Sequence, residues 1–252
     1  MTEIITINSF RRGAGKSSLV SNLAVMLVKD GYRVAVIDTD YQAPSLHLFF
    51  GLSDEKIPHT LNDYLDGECD IIDTLVDVTP SLNTNKAGHA YLISASTKTS
   101  DIMTMLRIPY DFNRFNNGLN KLVEEYELDV VLLDTTAGLN EETLVSIALA
   151  NTLLVLLHPD QQDYQGTAVT VEVAKNLKVP RICLVLNDTP ATLDVENARV
   201  QLQKTYQCEV AGIFPHSDTM LTLASAHIFA LQQPDHPYLT LFQQLMDYLM
   251  AS

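Results

Sequence analysis

Cysteines are few in this sequence and long apolar segments are missing, and both absences restrict the class of protein. The three cysteines are odd in number, lie far apart and form no C-x-x-C pair, so they suggest neither a disulfide framework nor a zinc site. The opening residues, MTEIITINSF, lack the basic and apolar regions of a signal peptide. No apolar run reaches the length needed to span a membrane, and the run 153–157 has the length of a buried strand. We therefore expect a soluble cytoplasmic protein.

Basic residues are scarce as well, which bears on the chain's partners. The sequence has 16 lysines and arginines against 31 aspartates and glutamates, and its formal net charge is −15. Such a chain repels nucleic acid on average. Binding to DNA would therefore require a local basic patch, for example one completed by dimerisation.

The order of apolar segments predicts an α/β fold. Largely apolar segments at 33–37, 130–133 and 152–157 alternate with helical patterns, which is typical of buried parallel strands. No repeat, low-complexity tract or linker divides the 252 residues. We predict one domain over residues 1–252, with a mostly parallel twisted sheet flanked by helices on both faces.

A glycine-containing loop follows the first apolar run and precedes a helical pattern. In this segment, SFRRGAGKSS (9–18), Gly13 and Gly15 allow the backbone N–H groups to turn inward, and the next helix adds the positive end of its dipole. Lys16 is suited to reach terminal phosphates, and the Ser17 hydroxyl is a ligand for a phosphate-bound Mg²⁺. The loop therefore predicts a phosphate site.

Two other interpretations of the loop must be weighed. A tight strand-to-helix connection needs glycines without any ligand. A dinucleotide-binding Rossmann loop would also be followed, after about 20 residues, by an acid such as Asp38 at a strand end. Against the Rossmann interpretation, Ser18 stands where its third glycine belongs, and the Lys16-Ser17 pair has no purpose in hydride transfer.

Carboxylates at two other strand ends favour the phosphate site. Asp38 and Asp40 follow the run 33–37, and Asp134 follows the run 130–133 in the form of a Walker B strand. Because the carboxyl ends of parallel strands share one edge of a sheet, these acids are expected near the loop. A lysine, a serine and several acids at one edge predict a P-loop NTPase fold that binds a nucleoside triphosphate with Mg²⁺.

The loop resembles the deviant Walker A sequence K-G-G-x-G-K-[ST] of the ParA/MinD family of partition and positioning ATPases. Arg11 occupies the position of the signature lysine and Arg12 that of the first glycine, whereas the last two glycines, the lysine and the serine match. Phe10 stands where the general P-loop pattern has its own first glycine. In the family the signature lysine reaches the partner's nucleotide across a dimer, and a planar guanidinium differs in shape from an ammonium group.

Segments 38–42 and 134–138 are similar to switch I and switch II of that family. The resemblance implies that Asp38 lies in the water shell of Mg²⁺ and that Asp40 positions the attacking water. It assigns catalytic roles to Lys16, Asp38 and Asp40, and metal binding to Ser17, Asp38 and Asp134. It assigns the nucleotide contacts to Arg11, Arg12, Gly13, Ala14, Gly15, Lys16, Ser17, Ser18, Asn187 (base) and Pro215 (adenine).

Further properties follow from the same resemblance. It implies a homodimer closed around two ATP molecules, an adaptor on the cargo that stimulates hydrolysis, and non-specific binding to DNA of the nucleoid. Candidate DNA contacts are Lys175, Lys178, Arg181, Arg199 and Lys204. The C-terminal helical pattern 238–252 carries Asp247 as its only charge, so a core-docking helix is expected rather than a membrane anchor.

This sequence lacks the signature lysine but keeps the switch segments. In this respect it is most similar to the branch of the family that distributes carboxysomes (McdA), which implies an McdB-like adaptor. Alternatives are a MinD-like or plasmid-partition ATPase, a Rossmann oxidoreductase, and a module that binds ATP without turnover.

Overall fold

The computed structural model describes residues 2–82, 88–105, 111–223 and 226–251. Within these ranges eight strands form one sheet. The strands are β1 (Glu3–Ser9), β2 (Arg33–Thr39), β3 (Val76–Asp77), β4 (His89–Ile93), β5 (Val130–Thr135), β6 (Thr152–Leu157), β7 (Arg181–Thr189) and β8 (Glu209–Pro215). Their order across the sheet is β3-β4-β2-β5-β1-β6-β7-β8, and every neighbouring pair is parallel except β3 with β4.

Eleven α-helices occur in the same described residues. They are α1 (Lys16–Asp30), α2 (Leu46–Phe49), α3 (Leu61–Asp66), α4 (Thr99–Met105), α5 (Phe112–Tyr126), α6 (Glu141–Leu149), α7 (Gln161–Asn176), α8 (Val195–Tyr206), α9 (Asp218–Thr222), α10 (Phe229–Gln232) and α11 (Leu239–Met250). Short 3₁₀ helices occupy Asp54–Lys56, Ile71–Thr74 and Thr79–Leu82.

The central strands are buried on both faces because side chains alternate across the sheet. In β6, Leu154 and Leu156 pack in the same cluster as residues of α1 and α11, whereas Leu153 and Leu157 join the cluster that includes α6, α7 and α8. Helices α3 and α5 cover the remainder of that second face. The predicted sheet, mostly parallel with helices on both faces, is therefore confirmed.

Residues 43–45, which follow the end of β2, form a turn that two acids hold in place. Helix α2 begins only after this turn, at Leu46. The Asp38 carboxylate accepts the N–H groups of Ser45 and Leu46, and the Asp40 carboxylate accepts that of Ala43. These bonds from acids earlier in the chain hold residues 43–45 as a turn. Asp38 itself lies inside β2 and not after it.

The C-terminal helix docks on the core, as predicted from its lack of cations. Phe242, Leu245, Met246 and Leu249 are buried along one side of α11. At the start of β7, Arg181 donates to the carbonyls of Tyr248 and Leu249, so the helix end is bound to the sheet as well. Among the described residues, no helix combines the length and the apolar character needed to cross a membrane.

The docked face of α11 gives a stability prediction. Leu245 has no exposed surface, so Leu245→Ala should lower the free energy of unfolding by about 2–5 kcal/mol through lost burial and a residual cavity. Urea unfolding measures this change. Gln244→Ala on the exposed side of the same helix is the matched control and should change stability by less than about 0.5 kcal/mol. Equal effects of the two substitutions would contradict a core-docked helix.

Candidate functional site

The loop between β1 and α1 adopts a conformation that its two glycines permit. Gly13 (φ 82°) and Gly15 (φ 95°) both lie in the left-handed region, and α1 starts at Lys16 directly after Gly15. The nearly buried Lys16 ammonium donates to Ser9 Oγ at 3.2 Å, and Ser9 Oγ donates to the Arg11 carbonyl at 2.7 Å. The loop therefore places a buried cation and a helix N-terminus together, which suits an anion.

Asn187 holds this loop from the other half of the sheet. Its side-chain N–H donates to the carbonyl of Ala14 at 2.8 Å. A Cβ added at Gly15 would lie 2.7 Å from Asn187 Nδ2, so a side chain at position 15 would displace the Asn187 amide from this bond as well as strain the backbone. The residue expected to contact a base thus also supports the loop that would bind the phosphates.

Two acids meet next to the loop. Asp38 and Asp134 are register partners on the adjacent strands β2 and β5, and both are buried. Asp38 accepts three backbone N–H bonds, from Asp40, Ser45 and Leu46, at 3.0–3.1 Å. The Ser45 hydroxyl also donates to Ser17 Oγ at 3.2 Å, which connects the start of α1 to the segment that caps Asp38.

The electrostatics of this pair identify a place for a cation. Both carboxylate oxygens of Asp134 are buried without a hydrogen-bond partner among the described residues. Burial, and for Asp38 repulsion from Asp134, raises the pKa of Asp38 to about 8 and that of Asp134 to about 7, although the nearby Ser17 hydroxyl and Lys16 ammonium lower the pKa of Asp134. Carboxylate and hydroxyl oxygens are ligands that Mg²⁺ prefers. The residues Ser17, Asp38 and Asp134 therefore fit the predicted metal.

Asp40, a residue of the predicted switch I, is bonded to the predicted switch II. Its Oδ1 atom accepts the Thr136 hydroxyl at 3.1 Å and the N–H of Ala43 at 3.1 Å. The second segment is in turn bound to the end of β1, because the N–H of Gly138 donates to the Ser9 carbonyl at 2.8 Å. Both segments thus contact one another and the strand that leads into the loop.

A cavity of about 280 Å³ opens beside the loop, on the side away from Asp38. Gly13, Gly15 and Ser18 line it from the loop and from α1. Asn187 and Pro215, at or near the carboxyl ends of β7 and β8, line its other side. Apolar and aromatic lining residues, which sequence reasoning did not identify, come from distant parts of the chain: Phe49, Phe214, Phe229, Tyr238 and Phe242. The cavity is therefore suited to a flat, partly apolar group.

The two arginines of the loop are both engaged by other segments. The Arg11 guanidinium donates to Asp163 (2.5 Å), Asp160 and Gln162 (3.1 Å) at the first turn of α7. Arg12 donates to Gln42 Oε1 at 2.7 Å in the predicted switch I. Sequence reasoning missed the acidic partners of Arg11, although the pattern D-x-x-D at a helix start after a strand was visible.

Three of the five candidate DNA contacts donate hydrogen bonds to backbone carbonyls of this chain. Lys175 donates to the carbonyl of Tyr206 at 3.0 Å, Arg199 donates to that of Val210, and Arg181 binds the end of α11. Lys178 and Lys204 are exposed. A basic patch in this region would therefore depend mainly on these two lysines.

Comparisons with known proteins agree with this geometry. A family model described as AAA domain (AAA_31) matches residues 2–181. The uncharacterized ATP-binding protein MJ0547 of Methanocaldococcus jannaschii is 26% identical over 238 residues, which cover 94% of this chain and 83% of that protein. In fold, the chain is similar to the septum site-determining protein MinD from Pyrococcus horikoshii complexed with Mg-ADP (TM-score 0.81, 20% identity, 99% of this chain and 96% of that one). It is also similar to apo McdA from Cyanthece (TM-score 0.75, 16% identity, 99% and 100%).

The two raised pKa values predict how stability depends on pH without metal or nucleotide. Between about pH 4 and pH 8 the folded protein retains protons on Asp38 and Asp134 that the unfolded chain has released, so stability falls as pH rises through this range. Asp134→Asn should reduce that fall by roughly 1–3 kcal/mol, since one pKa unit corresponds to about 1.4 kcal/mol.

Urea unfolding in EDTA at pH 5 and pH 8 tests this prediction. Glu124→Gln, which removes an exposed acid, is the control and should leave the pH dependence unchanged. An Asp134→Asn protein with the same pH dependence as the unmodified chain would rule out a buried, ionising Asp134.

Proposed function

This chain belongs to the AAA domain family, and from that membership we propose that it is a Mg²⁺-dependent ATPase of the ParA/MinD type. One observation carries the proposal: the buried Asp134 carboxylate, which has no hydrogen-bond partner among the described residues, lies beside the Ser17 hydroxyl and the Lys16 ammonium, at the start of a helix. A cation at the carboxylate, together with an anion at the ammonium and the helix start, would satisfy both charges. A nucleoside triphosphate with Mg²⁺ has this combination.

Each residue has a defined task in the proposed reaction. The backbone N–H groups of loop 10–15 and the start of α1 hold the phosphates, and Lys16 neutralises charge that develops on them. Ser17, Asp38 and Asp134 would hold Mg²⁺, which when bound polarises the phosphate oxygens. Asp40, fixed by Thr136, orients the attacking water.

Adenine is assigned to the cavity beside the loop. Asn187 offers hydrogen bonds at one wall, while Pro215 and the aromatic side chains supply apolar contact. Since Asn187 also bonds to Ala14, recognition of the base and the shape of the phosphate loop are linked in this proposal.

The wider function we propose is positioning of a cargo. ATP closes a homodimer around two nucleotides, the closed dimer binds non-specific DNA of the nucleoid, and an adaptor on the cargo stimulates hydrolysis and opening. The missing signature lysine favours carboxysomes as cargo and an McdB-like adaptor. The similarity in fold to MinD keeps a MinD-like or partition ATPase as the alternative.

One set of measurements separates the proposed ATPase from its rivals. A Rossmann oxidoreductase would bind a nicotinamide cofactor without Mg²⁺, and a nucleotide-gated module would bind ATP without releasing phosphate. We expect Mg²⁺-dependent ATP binding, slow phosphate release and an ATP-dependent increase in size by chromatography. Binding of a nicotinamide cofactor in place of ATP would refute the proposal.

The role of Asp40 can be tested by mutation. Asp40→Ala and Asp40→Asn should each slow phosphate release by roughly 100-fold or more, because the water loses the group that orients it. ATP binding should persist, and the ATP-bound dimer should accumulate. Asn retains an oxygen that can accept the Ala43 N–H, so Asp40→Asn removes the charge of the side chain while keeping the turn. Asp247→Ala on α11 is the control, and hydrolysis at the unmodified rate by both Asp40 variants would refute this role.

DNA binding gives a second test of the wider function. If Lys178 and Lys204 each contact a phosphate, Lys178→Ala and Lys204→Ala should weaken binding of random-sequence DNA in the presence of ATP, and each should reduce the salt-dependence slope by about 1 per protomer. Lys56→Ala, at an exposed position in a 3₁₀ helix, is the matched control. Fluorescence anisotropy at several salt concentrations measures the slopes. Unchanged slopes in both variants would remove these two lysines from the DNA contact.

A further inference from the structure

Two consecutive residues of the phosphate loop are docked on α7, a helix about 150 residues later in the sequence. The ring of Phe10 lies against Gly166, so closely that a Cβ at position 166 would be 1.9 Å from Phe10 Cγ. The neighbouring Arg11 side chain reaches the first turn of the same helix. The first half of the loop is therefore held by an apolar contact and a charged contact together.

The charged contact is built on acids that are already fixed. Asp160 caps α7 by accepting the N–H groups of Gln162 and Asp163, at 2.9 and 3.0 Å. Asp163 is buried and accepts the N–H of His158 at 2.8 Å. Arg11 meets these carboxylates with Nε and one terminal nitrogen, and its other terminal nitrogen donates to Gln162. All three guanidinium nitrogens are thus occupied within the chain.

Two hydrogen bonds connect this contact to Lys16. The carbonyl of Arg11 accepts the hydroxyl of Ser9, and Ser9 Oγ accepts the ammonium of Lys16. A change in the position of the Arg11 backbone would therefore alter the support of Lys16. Helix α7 and the proposed phosphate-binding lysine are connected through only two residues.

We infer that Arg11 is a positioning residue of its own subunit: by binding Asp160 and Asp163 it holds the phosphate loop in the shape that binds nucleotide, and it does not reach the nucleotide of a partner. This inference rests on the proposed ATPase function. An arginine with every nitrogen engaged would have to give up these charge-assisted bonds before it could reach a phosphate across a dimer.

The affinity of the monomer for Mg-ADP tests the inference, because a residue that acts only across a dimer cannot affect it. Arg11→Met and Asp163→Asn should each weaken ADP binding by roughly fivefold to tenfold, and the double variant should be no weaker than the weaker single one, since both remove the same contact. Dilute protein, confirmed as monomer by sizing, is titrated with a fluorescent ADP analogue. Two exposed residues without a role in the proposed site serve as controls: Lys56→Met removes a cation, Asp247→Asn removes an acid, and both variants should bind ADP normally.

A second pair of variants tests the apolar contact and guards against misfolding. Gly166→Ala favours the helix by propensity, so weaker ADP binding in that variant would come from displacement of the Phe10 ring. Adding Phe10→Ala to Gly166→Ala makes room for the new methyl group and should restore part of the affinity. Thermal unfolding of each variant shows whether the fold is retained.

The outcomes separate this inference from the proposed function. If the unmodified chain binds no adenine nucleotide, the proposed function fails and the inference fails with it. If the unmodified chain binds ADP, and the Arg11 and Asp163 variants bind it equally well but lose ATP-dependent dimerisation, then Arg11 acts across the dimer and the inference alone is overturned. Coupled losses of ADP affinity in the monomer support it.

Discussion

The site depends on the burial of two acids side by side. Asp38 and Asp134 lie on adjacent strands with their side chains out of water, where repulsion and desolvation both oppose ionisation. Burying a charge without a partner costs several kcal/mol, so the two acids lower the stability of the fold in the absence of a cation. Asp38 is partly compensated by three N–H groups, whereas Asp134 has no such bonds among the described residues. Of the pair, Asp134 therefore gains most from a metal.

The order of strands brings these acids to the loop. Strands β2, β5 and β1 are consecutive in the sheet, so their carboxyl ends present Asp38, Asp134 and the phosphate loop side by side. The chain then crosses to β6 and β7 on the far side of β1, which places Asn187 against the opposite flank of the loop. Ligands of open α/β sheets bind where the strand order reverses in this way. The phosphate loop therefore lies between a charged half and an apolar half of one site.

Local patterns were sufficient to predict parallel strands, the loop and the acids near the strand ends, because burial in a parallel sheet leaves continuous apolar runs. They did not predict the short antiparallel edge strand β3. Contacts between distant segments were not predictable in this way. The start of α2 at Leu46 depends on caps supplied by Asp38 from β2, and the engagement of Arg11 depends on Asp160 and Asp163. The cavity wall collects side chains from β8, α10 and α11, which no single stretch of sequence places together. Propensity describes neighbours in sequence, and these features involve neighbours in space.

The departures of the loop from the family pattern form a consistent set when their neighbours are considered. Phe10, which replaces a glycine, fits because residue 166 has no side chain, and Arg11, which replaces a lysine, matches two fixed carboxylates with its planar donors. A lysine at position 11 would bring a single charged nitrogen and could not bind Asp160, Gln162 and Asp163 in the same arrangement. Both replacements thus direct the start of the loop toward α7 in the same subunit. Because the Arg11 guanidinium is bound within its own chain, any positive charge supplied across a dimer would have to come from another residue.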